Sequence, residues 1–272
     1  MQNLWVRHIA LPQDHGSWVF LLSPLLIGLF AGSAWTPGGL FLVMGALAAF
    51  LIRQPVTIAV KAYSGRRSRR DLPAARFWIV VYSLVGLTAL VGLVWMGFGY
   101  LLLLAIPGIP VFIWHLALVS RRAERRQAGI EILGSGVLAL AAPAAYWVGV
   151  GAPDPLGWLL FLLVWLQSAA SIVYAYLRLD QRVLDTAPDL PGRLQMGRRA
   201  LAYTSFNLLL VSGLALYGLV SPWLFAPYLL QWAETLWGTL RPAVGVKPTT
   251  IGFRQLAVSS LFTLLFILTW NS

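Results

Sequence analysis

Cysteine is absent from this chain of 272 residues, which excludes disulfide frameworks, thiolate metal sites and iron–sulfur clusters together. Charge is scarce: Asp, Glu, Lys and Arg make up 11% of the sequence, against roughly a quarter in an ordinary soluble protein. Carboxylates are scarcest, with 9 Asp and Glu facing 20 Lys and Arg for a formal net charge of +11. Histidine occurs at His8, His15 and His115 only, with no pair at metal-ligand spacing on one helix and no HExxH motif. A Gly-rich phosphate loop, a nucleophile elbow and a Ser/His/Asp arrangement are missing too. What the chain has in excess is apolar surface, with 59% hydrophobic residues, more than a compact soluble core can hide. In that setting the positive charge points to a lipid bilayer and not to nucleic acid.

A transmembrane helix needs about 20 mostly apolar residues to cross a hydrocarbon core of roughly 30 Å. Nine stretches meet that requirement, at 18–34, 40–60, 77–96, 98–119, 130–150, 156–177, 201–220, 222–240 and 256–270. The expected fold class is therefore all-α, a polytopic bundle of about nine transmembrane helices in a single domain spanning 1–272. The first stretch reads as a true span, because a polar His-containing segment precedes it and no small-residue cleavage pattern follows.

Every Lys and Arg falls before the first span or around the connections after the second, fourth, sixth and eighth, which makes cytoplasmic loops of about 61–76, 120–129, 178–200 and 241–255. The intervening connections carry no Lys or Arg. This alternation predicts an N-terminus in the cytoplasm and a C-terminus outside. The run Ser-Gly-Arg-Arg-Ser-Arg-Arg at 64–70 reads as a topogenic loop that binds anionic lipid.

Polar side chains are costly in hydrocarbon, so each one near a span is a functional candidate. The set comprises Asp14, His15, Arg53, Gln54, His115, Arg122, Glu131, Gln167, Ser168, Ser171, Tyr174, Arg178, Thr204, Ser205, Asn207, Gln231, Glu234 and Arg254. Most lie toward the cytoplasmic half. Gln167, Ser171, Tyr174 and Arg178 follow at intervals of four, three and four, which places them on one helix face. Interhelical hydrogen bonding alone accounts for such a stripe equally well. Pro55, directly after Arg53 and Gln54, should kink or break its helix and open a cavity, or else mark the span's end with Arg53 snorkelling to the interface. His15 and His115 share the cytoplasmic side, where a bis-histidine haem or quinone site is geometrically allowed. No cofactor is expected otherwise. Magnesium at Asp180, Asp185 and Asp189 is a weak alternative, since Pro188 and Pro191 argue against a helix that would align the carboxylates.

The segments LPQDHGSW (11–18), FLIRQP (50–55), SRRAERRQAGIEILG (120–134) and KPTTIGFRQ (247–255) together resemble the bacterial YwiC-like family of integral membrane proteins. That resemblance implies a multi-pass protein of the bacterial cytoplasmic membrane and brings no activity with it. More distantly, nine helices, basic even-to-odd loops, a kinked second helix and an Arg-Arg segment before a Gly-rich fifth resemble the UbiA-type prenyltransferase fold. UbiA-type enzymes hold magnesium on two Asp-rich motifs. The corresponding places here read Arg53-Gln54-Pro55-Val56-Thr57 and Arg178-Leu179-Asp180-Gln181-Arg182, so metal-dependent prenyl transfer is not implied.

The function expected from this combination is binding of an anionic amphiphile, a phosphorylated or prenyl lipid, in a cytoplasmic-side pocket. Arg53, Arg121, Arg122, Arg178 and Arg254 would take the head group, because guanidinium matches oxyanions bidentately. His15, Glu131 or Glu234 would serve as acid, base or partner to a buried Arg. A small-anion or metabolite transporter is the first alternative, and a membrane assembly factor or respiratory-complex subunit the second.

Overall fold

The computed structural model describes residues 6–12, 15–121 and 128–271, without the side chains of 15 and 16. Among these residues there is no strand. Helices start where the sequence supplies a cap and a proline. A side-chain oxygen of Thr36, Asp154 or Asp189 accepts a backbone N–H, with proline in the first turn, at the start of α3 (Pro37–Tyr63), α9 (Pro155–Gln181) and α10 (Leu190–Leu216). Before them come a short α1 (Arg7–Ala10) and α2 (His15–Ala31). Between them lie α4 (Leu72–Trp95), α5 (Leu102–Ala105), α6 (Gly108–Ser120), α7 (Ala128–Ala139) and α8 (Ala141–Val150). The chain closes with α11 (Phe225–Leu240) and α12 (Pro248–Trp270).

Seven of the described helical stretches are long and apolar enough to cross a membrane: Pro37–Tyr63, Arg69–Trp95, Gly99–Ser120, Ala128–Val150, Pro155–Gln181, Leu190–Leu216 and Pro248–Trp270. These are seven of the nine expected spans. The stretch at 18–34 holds α2, of 17 residues, and that at 222–240 a 3-10 turn (Pro222–Leu224) continuing into α11, of 16. At about 1.5 Å per residue α2 spans roughly 26 Å, less than a full hydrocarbon core, whereas 222–240 is helical throughout and is less apolar than the seven because it carries Gln231 and Glu234. Two crossings are composite. Ile106 and Pro107 interrupt the α5–α6 stretch, and Leu140 separates α7 from α8. Pro143 offers no N–H to the carbonyl of Ala139, which explains the second break. The break expected at Pro55 does not occur: α3 runs through it to Tyr63, with Pro55 buried against neighbours.

The largest core lies between α2, α8 and α9, built on Leu25, Ile27 and Leu29 with Ala142, Ala145, Leu160 and Leu163. Glycine lets α2 and α8 meet backbone to backbone. A Cβ placed on Gly28 would lie 2.8 Å from Ala145 Cβ and 2.9 Å from Ala142 Cα, and one on Gly32 would lie 2.8 Å from Tyr146 Cα. This is the small-xxx-small packing of membrane helices, in which van der Waals contact replaces a hydrophobic drive that lipid does not provide. A second cluster, with Ile9, Ile58, Ala62, Leu72 and Ala75, seats α1 on the α3–α4 hairpin. Tyr82 fixes it there by donating to the carbonyl of Ala10 at 2.9 Å. On the outer side of α4, Val80, Leu84, Leu87, Val91 and Trp95 are exposed, as a lipid-facing surface requires.

The basic connections are tied to helix ends. Arg66 donates to the carbonyl of Val119, which joins the α3–α4 turn to the end of α6. Arg193 Nη1 donates to the carbonyl of Leu240 at 2.9 Å, and the N–H of Gly245 to the carbonyl of Arg182 at 3.3 Å. The α9–α10 and α11–α12 connections therefore sit together at one end of the bundle.

Candidate functional site

The polar stripe of α9 faces α11 and α12, and three side-chain groups stack along it. At the basic end, Arg178 is 6% exposed and its Nη1 donates to Gln181 Oε1 at 2.8 Å and to the carbonyls of Gly238 at 2.6 Å and Arg241 at 2.8 Å. Two hydrogens shared among three oxygens make a bifurcated arrangement. The two carbonyl oxygens belong to the end of α11, where carbonyls lack helical partners and the macrodipole is negative. Gln181, fully buried, completes this cap: its Nε2 donates to the carbonyl of Gly238 at 3.2 Å and its Oε1 accepts the N–H of Ala243 at 3.3 Å. The guanidinium of Arg178 lies 5.5 Å from the centre of the Trp237 ring. Arg178, expected to meet an anion, is occupied with backbone.

One turn deeper stands an ion pair with a phenol. Glu234 accepts Arg254 Nε at 2.6 Å on Oε1 and Arg254 Nη2 at 2.7 Å on Oε2, a two-point contact. Tyr174 also donates its hydroxyl to Glu234 Oε1, at 2.8 Å. The Arg254 guanidinium lies 3.6 Å from the Trp237 ring centre, in a cation–π contact. Gly238 is what lets Tyr174 reach across, since a Cβ there would lie 2.7 Å from Tyr174 Cε2. The Arg254 side chain is 44% exposed, whereas that of Glu234 is 10% exposed.

The deepest group is neutral. Gln231 Nε2 donates to Ser171 Oγ and to the carbonyl of Gln167, both at 3.0 Å. Gln167 Nε2 donates to the same Ser171 Oγ at 3.0 Å. Between this group and the ion pair lies a cavity of about 20 Å³, bounded by Ser171, Tyr174, Gln231, Glu234, Thr235, Gln255, Val258 and Ser259. That volume suits a single water and not a lipid head group.

The remaining candidates lie elsewhere. Gln54 Nε2 donates to the carbonyl of His8 at 3.0 Å, which pins the N-terminal segment to α3. Arg53 lies 5.3 Å from the ring centre of buried Phe50. His115 is on α6, which packs against α3 and α7. Glu131, exposed at the start of α7, accepts the hydroxyl of Tyr176 at 2.7 Å. Tyr176 is two residues from Tyr174, about 200° around α9, so Glu131 and Glu234 serve different faces. Asn207 is buried and donates to the carbonyl of Leu166 at 2.9 Å, tying α10 to α9. Asp14 and Arg122 lie outside the described residues, as does the side chain of His15. Asp180, Asp185 and Asp189 are exposed, and Asp189 Oδ1 is engaged in capping α10 through the N–H of Gly192 at 3.0 Å. Among the described residues no three His or carboxylate groups gather as a metal site would need.

Sequence reasoning missed Gln181, Trp237 and Gln255. The first two were findable: Gln181 lies three residues after Arg178 and Trp237 three after Glu234, the spacing of a shared helix face. Gln255 adjoins Arg254 on a helix whose polar face the hydropathy pattern does not mark.

Residues 11–146 match the YwiC-like protein family. Over 158 residues the chain is 27% identical to the protein named Uncharacterized protein YwiC of Bacillus subtilis (strain 168). That match covers 56% of this chain and 59% of the relative, so it spans less than two thirds of either. No solved structure matches the chain. The polar cluster on α9, α11 and α12 lies beyond the segment that matches the family.

Proposed function

The chain belongs to the YwiC-like protein family, and from that premise we propose that this multi-pass membrane protein holds the head group of an anionic amphiphile at the basic end of α11 and α12. The family name states no ligand, so the reading rests on one observation, the state of Arg254. Its Nε and Nη2 are fixed by Glu234 and its plane lies over Trp237, while nearly half of the side chain stays open. The two Nη1 hydrogens are then left for an oxyanion that approaches from the lipid interface. A phosphate or carboxylate there meets a guanidinium already held in orientation, with Arg241 and Lys247 in the neighbouring loop adding positive potential. The hydrocarbon tail lies along the exposed side of α12, where Phe253, Leu261, Leu264 and Leu268 face outward.

The same reading places the basic end in the cytoplasm of a bacterium, with the C-terminus outside, which the alternation of basic loops and the bacterial relative support, and it disposes the bundle in a UbiA-like way. The transporter reading draws on the depth of the Gln167, Ser171 and Gln231 group, and uptake of a small anion into liposomes that abolishes with Arg254→Gln but needs no lipid ligand would favour it.

Native mass spectrometry of the purified protein with bacterial lipid extract tests the leading reading. The wild type is expected to keep a phosphorylated lipid, and Arg254→Gln to lose it, with affinity falling about 10- to 100-fold as the loss of a charged hydrogen-bond partner implies. Absence of an adduct from both proteins, or equal retention by both, overturns it.

A further inference from the structure

Among the described residues, two buried side-chain polar atoms have no hydrogen-bond partner, Gln231 Oε1 and Gln255 Nε2. Both residues bound the 20 Å³ cavity between α9, α11 and α12. The coincidence is informative, because an unsatisfied buried polar atom costs free energy and two such atoms rarely share one wall without a common partner. From this we propose that the cavity is a binding site for one water molecule, which links the Arg254–Glu234–Tyr174 group to the Ser171–Gln231–Gln167 group.

The chemistry of the two atoms selects the occupant. The Gln231 amide cannot be turned around, because its Nε2 donates to the carbonyl of Gln167, and a carbonyl gives nothing to Oε1 in exchange. Oε1 therefore asks for a donor. Gln255 presents Nε2 and asks for an acceptor; turned around, the same amide presents Oε1 and asks for a donor, and water meets either. A metal cation satisfies the first and repels the second, and a halide does the reverse. Water does both, and the cavity volume is close to that of one molecule.

The location gives the water a role. Gln231 itself is 5% exposed, Glu234 is nearly as enclosed, and the two hydrogen-bonded groups share no direct bond. With one hydrogen of the water on Gln231 Oε1 and the other on Glu234, which bounds the same cavity, they become one continuous line, from the open edge of Arg254 through Glu234 to Gln167 in the middle of α9. The water also offers Glu234 a donor besides Tyr174 and Arg254, and this holds whether the anion that meets Arg254 is a lipid or a solute.

A structure of the full chain at a resolution that shows ordered water decides the point. The expected result is one peak within about 2.7–3.2 Å of both Gln231 Oε1 and Gln255 Nε2. A cavity without a peak overturns the proposal, and so does a peak enclosed by six oxygen ligands at cation distances. Thermal unfolding of Gln255→Met and Gln255→Leu in detergent gives an independent readout of sign. If Gln255 Nε2 donates to a water, both variants unfold at lower temperature than the wild type. If the cavity is dry, deleting an orphaned donor raises the unfolding temperature, which contradicts the site.

Discussion

Arg178→Met is expected to destabilise the folded protein by about 1–3 kcal/mol, the usual cost of leaving buried acceptors without their donor. Methionine retains the length and apolar body of the side chain while deleting the donors to Gln181 Oε1 and to the carbonyls of Gly238 and Arg241. Those carbonyls end α11 in a buried setting, and no water replaces a guanidinium without ordering several molecules at once. Arg178→Lys should recover part of the loss, since an ammonium has donors and charge but not the planar fork. Thermal unfolding and monomer recovery on size exclusion in mild detergent measure both variants. Wild-type behaviour of Arg178→Met shows that the α11 end is satisfied by other means.

Gly32→Leu is expected to be comparably damaging for an unrelated reason. Even the first added carbon meets backbone, at 2.8 Å from Tyr146 Cα, and backbone cannot swing aside as a flexible side chain can. The α2–α8 pair must separate, and overpacking of this kind costs about 1–3 kcal/mol or more before the lost contacts with Leu29 and Val148 are counted. Gly213→Leu on α10 is the control, because nothing lies within 4 Å of a Cβ placed there and it faces open space. Unfolding in a graded denaturing detergent should separate the two variants, with Gly213→Leu close to wild type. Equal stability of both contradicts backbone packing as the source of α2–α8 adhesion.

These two positions also mark what could be read before the fold was known. Gly28 and Gly32 stand four apart, a visible Gly-xxx-Gly pattern, but its partner residues come more than a hundred positions later and only the fold brings them into contact. The α9 stripe was legible from its spacing alone, and Gln167, Ser171, Tyr174 and Arg178 do share a face turned toward other helices. What spacing cannot state is the partner. Arg178 reads as an anion ligand when only side chains are considered, because backbone carbonyls at a distant helix end leave no mark on hydropathy. Apolar length likewise says little about the role of 222–240: a window average conceals that Gln231, Glu234 and Thr235 gather on one side of α11. Proline was over-read at Pro55 and under-read at Pro143, since a proline interrupts a membrane helix only where the surrounding helices fail to support the freed carbonyl.

The cap on α11 has a consequence for how the chain is assembled. Its carbonyls are completed by Arg178 and Arg193, side chains synthesised 60 and 47 residues earlier than the carbonyls they meet and anchored to one side by their charge. A last hairpin threaded the wrong way would present its opposite end to them and leave the α11 terminus bare in lipid. Correct insertion is therefore rewarded twice, first by charge at the surface and then by completion of a helix end. The bundle thus checks the orientation of its final two helices with residues laid down before those helices exist.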